Sequence, residues 1–257
     1  MLTINFLLLG TFLRTVSIDS ITRDFLKLHS VSDQKYQIIS LGAGFDTRLF
    51  RFMNEFENKL EGLTYFEIDF DQVIREKRRL VEMKPILKEL SSAWRPISFD
   101  LNEGISEEIF GNDFDPSFPT LIIAECCFMY LTAEAGDKII SWCGNTFKSS
   151  VTLCSFDPIL ADDIKADPFA KVMLDNFDKR GLDTRALLEY PSRQSTIDRF
   201  KKHFPVVNSF TMLQLETTES LVSKQQRREV LIKAALDEYE EWNLLADHYL
   251  LIIAQKN

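Results

Sequence analysis

The feature that most restricts the fold of this chain is the alternation of short apolar runs with longer amphipathic stretches. Residues 120–124 place Leu121, Ile122 and Ile123 in a row without a polar break, a run shorter than a typical helix and apolar on both faces. Comparable runs occupy residues 36–41, 64–68, 95–99 and 151–156, with two later ones at 210–215 and 249–254. A strand that is apolar on both faces must be covered on both. The pattern therefore predicts an α/β, Rossmann-like doubly wound sheet, mostly parallel, with helical additions. The last two strands are expected to pair as a hairpin-like edge.

Between the strands, residues 17–28 set Ile18, Ile21, Phe25 and Leu28 on one helical face. Residues 71–81 read as a charged surface helix whose run Lys77-Arg78-Arg79 faces water. Thr132 is the expected N-cap of a helix reaching residue 147, and residues 169–179 and 195–203 give two more. Residues 157–167, rich in acids, read as a loop or insertion over the sheet edge.

No repeat, low-complexity tract or Pro/Gly-rich linker divides the chain, and 257 residues suit one large domain, so a single domain over residues 1–257 is expected. A net charge of -9 argues against a nucleic-acid partner, which needs clustered Lys and Arg to displace counterions. Cys126, Cys127, Cys143 and Cys154 lack zinc-site spacing and read as reduced core thiols, in keeping with a cytoplasmic protein. His29, His203 and His248 are too scattered for a metal site or a catalytic triad. The apolar stretch around Phe6, Leu9 and Phe12 lacks preceding basic residues and is too short to span a bilayer, so neither secretion nor a membrane is expected.

The chemistry-bearing residues cluster at strand ends. Leu41-Gly42-Ala43-Gly44-Phe45-Asp46-Thr47-Arg48 follows the first strand, where glycines let the backbone turn sharply and approach a ligand. Thr47 stands where a dinucleotide fingerprint needs a third glycine, which demotes a nicotinamide cofactor. Asp69 ends the second strand, at about the offset from which a carboxylate binds both ribose hydroxyls. Asp100 and Leu101 follow the third strand, suited to an adenine amino group and ring, and Glu125 ends the fourth, at the centre of the crevice. Three acids on three successive strands beside a glycine loop, with no phosphate-binding motif, describe a nucleoside pocket. A nucleoside cofactor without phosphates points to S-adenosylmethionine.

These segments, together with Gly10-Thr11-Phe12-Leu13-Arg14-Thr15, Pro119-Thr120-Leu121-Ile122-Ile123-Ala124-Glu125-Cys126, and Leu236-Asp237-Glu238-Tyr239-Glu240-Glu241-Trp242 before His248-Tyr249, resemble the leucine carboxyl methyltransferase family. The resemblance runs over nearly the whole chain. It implies the S-adenosylmethionine-dependent methyltransferase type of fold and methylation of the C-terminal leucine carboxylate of the protein phosphatase 2A catalytic subunit, by a monomer. By the same resemblance, Arg14 holds the cofactor's carboxylate, Gly42 lines the cofactor loop, Asp69 binds ribose, and Asp100, Leu101 and Glu125 are further cofactor contacts. Tyr130 matches a tyrosine near the methyl-transfer site, so Tyr130 and Arg14 are the expected catalytic pair. Residues 237–242 read as helix surface, which in this family borders the substrate mouth. The chain departs from the family at Leu9, where Arg is frequent, and at Phe156-Asp157-Pro158, where Tyr-Glu-Gln is common. Members usually carry an N-terminal segment covering the cofactor, which this chain is expected to lack. Two alternatives stand beside this expectation: a related tRNA wybutosine carboxyl methyltransferase, whose typical long C-terminal repeat domain this chain is expected to lack, and a catalytically weak relative that keeps the cofactor fold or docks on the phosphatase.

Overall fold

Seven strands form one sheet in the order β3-β2-β1-β4-β5-β7-β6. They are β1 (Tyr36–Leu41), β2 (Leu63–Asp69), β3 (Trp94–Ser98), β4 (Thr120–Glu125), β5 (Val151–Pro158), β6 (Val206–Thr211) and β7 (Tyr249–Lys256). The computed structural model describes residues 4–31, 34–57, 59–161, 164–165, 167–234 and 239–257. The first five strands are parallel to one another, while β7 runs antiparallel to both β5 and β6. Leaving β1, the chain moves outward to β2 and β3, then returns to place β4 on the other side of β1. That reversal opens a crevice at the carboxyl ends of β1 and β4, where open α/β sheets bind ligands.

The helices are α1 (Ile4–His29), α2 (Arg48–Glu55), α3 (Asp71–Met83), α4 (Pro85–Glu89), α5 (Ala133–Thr146), α6 (Pro168–Lys179), α7 (Arg185–Glu189), α8 (Arg193–Lys201), α9 (Met212–Leu215), α10 (Lys224–Ala234) and α11 (Tyr239–Asp247). Period-two alternation splits the strand side chains between two cores. In β4, Leu121 and Ile123 pack with α1, α2, α10 and α11, whereas Ile122 and Ala124 pack with α5 and α8. This two-sided burial is why the run carries no polar residue.

The β1 run keeps its sequence-predicted limits, and Thr132 caps α5 by accepting from the Ala135 N–H at 3.2 Å. Other readings change. α1 extends through the whole apolar N-terminal stretch, and its buried line runs through Leu9, Leu13, Ser17, Thr22 and Leu26, while Leu28 is exposed. Ser17 and Thr22 stay on that line because their hydroxyls donate to the carbonyls of Leu13 and Ile18 at 2.7 and 2.8 Å. Asp157 and Pro158 belong to β5 rather than to a loop, and Asp162, Asp163 and Ala166 of that segment lie outside the described residues. The expected strand at 210–215 is instead the end of β6 followed by α9, whose capping box joins Thr211 and Gln214. β6 and β7 do pair, yet α9, α10 and α11 separate them in sequence, and β7 is interior to the sheet. Lys77 is buried, with Nζ 2.6 Å from Glu67 Oε2 on β2, so the run Lys77-Arg78-Arg79 is not wholly a solvated face. Trp242 is also buried, and its ring neighbours Phe6, whereas Leu236, Asp237 and Glu238 lie outside the described residues.

Candidate functional site

Gly42 leaves β1 with φ +62, a left-handed conformation that favours glycine. A Cβ there would also lie 3.0 Å from Cys127 Sγ, so the loop and the turn after β4 meet too closely for a side chain. Gly44, at φ +51, donates its N–H to Asp69 Oδ2 at 2.7 Å, and the Phe70 N–H donates to Asp69 Oδ1 at 2.7 Å. Asp69 therefore ties the end of β2 to the glycine loop. A carboxylate has about four lone-pair positions, so these two bonds leave room for two hydroxyl donors.

Glu125 ends β4 between two arginines. Arg14 Nε, from α1, lies 2.6 Å from Glu125 Oε1, and Arg48 Nη1, the first residue of α2, lies 2.5 Å from Oε2. Arg48 is almost fully buried and continues the network to Asp46 at 2.7 Å and Asp19 at 2.8 Å, and Arg51 joins Asp19 at 2.6 Å. Burial works against the Arg48 charge, but Asp46 and Glu125 outweigh it and raise its pKa. Arg14 is less confined. Its Nε contact with Glu125 lacks hydrogen-bond alignment, and among the described residues its Nη1 donates to Cys126 Sγ, at 3.6 Å. Part of its guanidinium fork is thus open to a ligand carboxylate.

Two cavities meet at Gly42. One, of about 360 Å3, is polar and is bounded by Arg14, Ser40, Asp46, Arg48 and Glu125. The other, of about 240 Å3, is bounded by Asp69, Phe70, Phe99, Leu101 and Tyr130. Arg14, Gly42, Asp69, Leu101, Glu125 and Tyr130 are thereby brought to one crevice. Asp100 is not on either wall. Its Oδ1 accepts from the Asn102 N–H at 2.9 Å, capping the short turn that presents Leu101. Tyr130 is half exposed, and burial, with the neighbouring Cys126 and Asp157, raises its pKa.

Sequence reasoning missed Asp19, Arg48 and Arg51, which hold Glu125 in place, and Asp157, whose carboxyl lies behind the Tyr130 turn. Arg48 stood inside the glycine motif itself, beside Asp46. The histidines do not line either cavity, and His248 binds Asp167 Oδ2 at 3.1 Å and the Leu244 carbonyl at 2.7 Å. Among the described residues no cluster of His, Cys, Asp or Glu is arranged to hold a metal ion, and no helix is long and apolar enough to cross a membrane.

Residues 5–144 match the family described as leucine carboxyl methyltransferase. Leucine carboxyl methyltransferase 1 of Schizosaccharomyces pombe is 33% identical over 260 residues, covering 95% of this chain and 80% of that protein. The leucine carboxyl methyltransferase 1 homolog of Arabidopsis thaliana is 28% identical over 266 residues, covering 95% and 76%. Among solved structures, a mycolic acid cyclopropane synthase complexed with SAH and CTAB superposes with a TM-score of 0.54 at 12% identity, over 92% of this chain and 84% of that one. A putative O-methyltransferase from Nostoc punctiforme gives 0.54 at 11% identity, over 93% and 55%. At such identities the likeness is one of fold, and the fold is the Rossmann-like sheet of S-adenosylmethionine-dependent methyltransferases. The family match, the similarity to the fission-yeast enzyme over most of both chains, and the glycine loop set beside the strand-end acids Asp69 and Glu125 agree: this chain belongs to the leucine carboxyl methyltransferase family.

Proposed function

We propose that this protein transfers a methyl group from S-adenosylmethionine to the C-terminal leucine carboxylate of the protein phosphatase 2A catalytic subunit. The observation that carries the reading is the position of Arg14. It lines the polar cavity and also a smaller, mostly apolar one of about 110 Å3, bounded by Phe6, Leu7, Phe156, Leu245 and Tyr249. A guanidinium at the edge of an apolar recess suits a ligand that carries an aliphatic side chain beside a carboxylate.

The residues present fit the cofactor. The close approach at Gly42 leaves backbone for it to lie against, Asp69 has acceptor positions free for ribose, and Phe99 with Leu101 offers an apolar wall to the base. When bound, S-adenosylmethionine supplies an activated methyl group on a sulfonium cation. The acceptor α-carboxyl, with an ordinary pKa of about 3.3–3.7, is ionised at neutral pH and needs no base from the protein. Arg14 orients a carboxylate. Tyr130 stays a phenol, because its pKa is raised, and so donates a hydrogen bond instead of taking a proton. An acceptor leucine seated in the apolar recess displaces water from it, and alignment of the carboxylate with the methyl group provides most of the acceleration.

The test is transfer of a labelled methyl group to the phosphatase catalytic subunit. The expected product is a base-labile ester that is lost when the acceptor's terminal leucine is deleted. Label on tRNA, or in a base-stable linkage, rejects this acceptor.

A further inference from the structure

The segment 126–131 leads from β4 to α5 and supplies one wall of the nucleoside-side cavity through Cys126, Cys127, Tyr130 and Leu131. It leaves the strand abruptly, because Cys126 has φ 50, a left-handed conformation that a side chain disfavours. Such geometry persists only where neighbours enforce it. Two anchors on β5 do so. The Cys126 N–H donates to the Phe156 carbonyl at 2.7 Å. At the next position, Asp157 Oδ1 accepts from the Met129 N–H at 3.2 Å and Oδ2 accepts from Ser155 Oγ at 2.9 Å. The turn's own hydrogen bonds, Tyr130 N–H to the Cys127 carbonyl and Leu131 N–H to that of Phe128, give it shape but do not attach it to the sheet.

We propose that Asp157 is a positioning residue for methyl transfer: its carboxylate fastens the turn to β5 at the Met129 backbone and so places Tyr130 against the cofactor crevice. The proposal rests on the methyltransferase reading of that crevice. Asp157 lies on the far side of the turn, where it bounds a separate recess of about 40 Å3 with Tyr190 and Arg199, so it acts through the backbone and not by touching a ligand.

The groups facing Asp157 make its charge state consequential. From the turn come Cys126, Cys127 and Tyr130, and burial raises the pKa of all three. From the opposite side come Tyr190 and the α8 cation Arg199. Arg199 is already committed to Asp137 Oδ1 at 2.6 Å and to the Ala133 carbonyl at 3.1 Å, with its guanidinium 4.3 Å above the Tyr190 ring. No ion pair competes for Asp157 among the described residues. Burial pushes its carboxyl up to about 7, with the Ser155 and backbone donors pulling the other way. Around neutrality it passes from a neutral acid to an anion that accepts from every donor around it. The hydrogen bonds it accepts are strongest above that point, although the burial of the charge costs the fold as a whole some stability.

The test compares Asp157→Asn and Asp157→Ala with the unaltered full-length chain. In Asp157→Ala at pH 8, amide exchange at residues 127–130 should accelerate at least about tenfold, with β1 and β2 unchanged, because only local opening becomes easier. In Asp157→Asn, kcat should fall by about tenfold to a hundredfold, as for a slightly misplaced group, with the KM for S-adenosylmethionine altered less. The rise of the wild-type rate through about pH 7 should disappear in that variant. Unchanged exchange in Asp157→Ala, or an Asp157→Asn enzyme that keeps both wild-type kcat and the inflection, overturns the proposal. Should Asp157→Ala not fold, the Met129 amide shift decides. It should titrate near pH 7 in the wild type and not in Asp157→Asn, and a flat wild-type curve overturns the proposal. The exchange and amide measurements need no acceptor, so they remain decisive even if the acceptor assignment fails.

Discussion

Arg48 Nη1 lies 2.5 Å from Glu125 Oε2, and the same guanidinium reaches Asp46 at 2.7 Å and Asp19 at 2.8 Å. One nearly buried cation thus binds the end of β4, the glycine loop and α1 together directly beneath the crevice. Removing it leaves carboxylates in a poorly solvated place with fewer partners. Arg48→Met should cost about 3 kcal/mol or more of stability, at the lower end for a broken buried pair because Arg14 and Arg51 remain. Urea unfolding measures this, and a loss below about 1 kcal/mol would mean that the pairs behave as solvated surface bridges.

Asp69 serves both the loop and the expected ribose. Asp69→Ala should weaken S-adenosylmethionine binding by about 1.5–3 kcal/mol, the range for hydrogen bonds to a charged group, in a calorimetric titration. The Gly44 and Phe70 N–H groups lose their acceptor as well, so a modest fall in stability should accompany it. An unchanged dissociation constant in a folded variant removes Asp69 from the site.

Arg14→Lys keeps the charge and loses the planar fork. Binding or transfer should drop clearly, because an ammonium cannot donate two parallel hydrogen bonds to a carboxylate. Full activity in the lysine variant would show that geometry at Arg14 is not what the ligand reads.

Gly42→Ala meets two obstacles, a left-handed backbone and Cys127 Sγ at 3.0 Å from the new Cβ. The backbone alone should cost about 1–2 kcal/mol. Pairing the change with Cys127→Ala should recover the steric part only, which a double-mutant cycle on unfolding free energies isolates. Strict additivity would mean that the two side chains do not meet.

Asp157 also predicts a pH dependence of stability. Its folded carboxyl titrates at about 7, above the ordinary value of 3.8, so the folded chain holds a proton that the unfolded chain has released. The associated stabilisation is complete below about pH 4 and is lost as pH rises through 7. Asp157→Asn, which cannot titrate, should gain stability relative to the wild type between pH 4 and 7, and the difference should level off above that. Parallel unfolding curves across this range would exclude the raised value.

Much of the site was legible because ligand-binding side chains stand where strands end. Gly42, Asp69 and Glu125 announce themselves by following apolar runs, and the apolar runs mark the sheet. Arg48 and Asp19 were not legible, since their meaning lies in a contact between α1 and α2 that no spacing encodes. Lys77 was misread for a related reason, although the sequence held a clue. Glu67 interrupts the buried run Tyr65-Phe66-Glu67-Ile68, and a carboxylate in such a strand requires a cation, which α3 provides. Asp157 was assigned to a loop because acids usually sit outside strands, yet here Ser155 on the same strand and the Met129 N–H of the neighbouring turn offset part of its burial.

The placement of β7 between β5 and β6 bears on how the chain assembles as it is made. The free edge of β5, and the side of β6 that faces it, wait for a strand that follows three intervening helices in sequence. At about 5–20 residues per second, a ribosome leaves those edges open for seconds after β6 has been synthesised. Unpaired strand edges template association between nascent chains. Chaperone demand and aggregation during expression should therefore respond sharply to changes in residues 250–256, even though these line neither the two cavities at Gly42 nor the apolar recess beside Arg14.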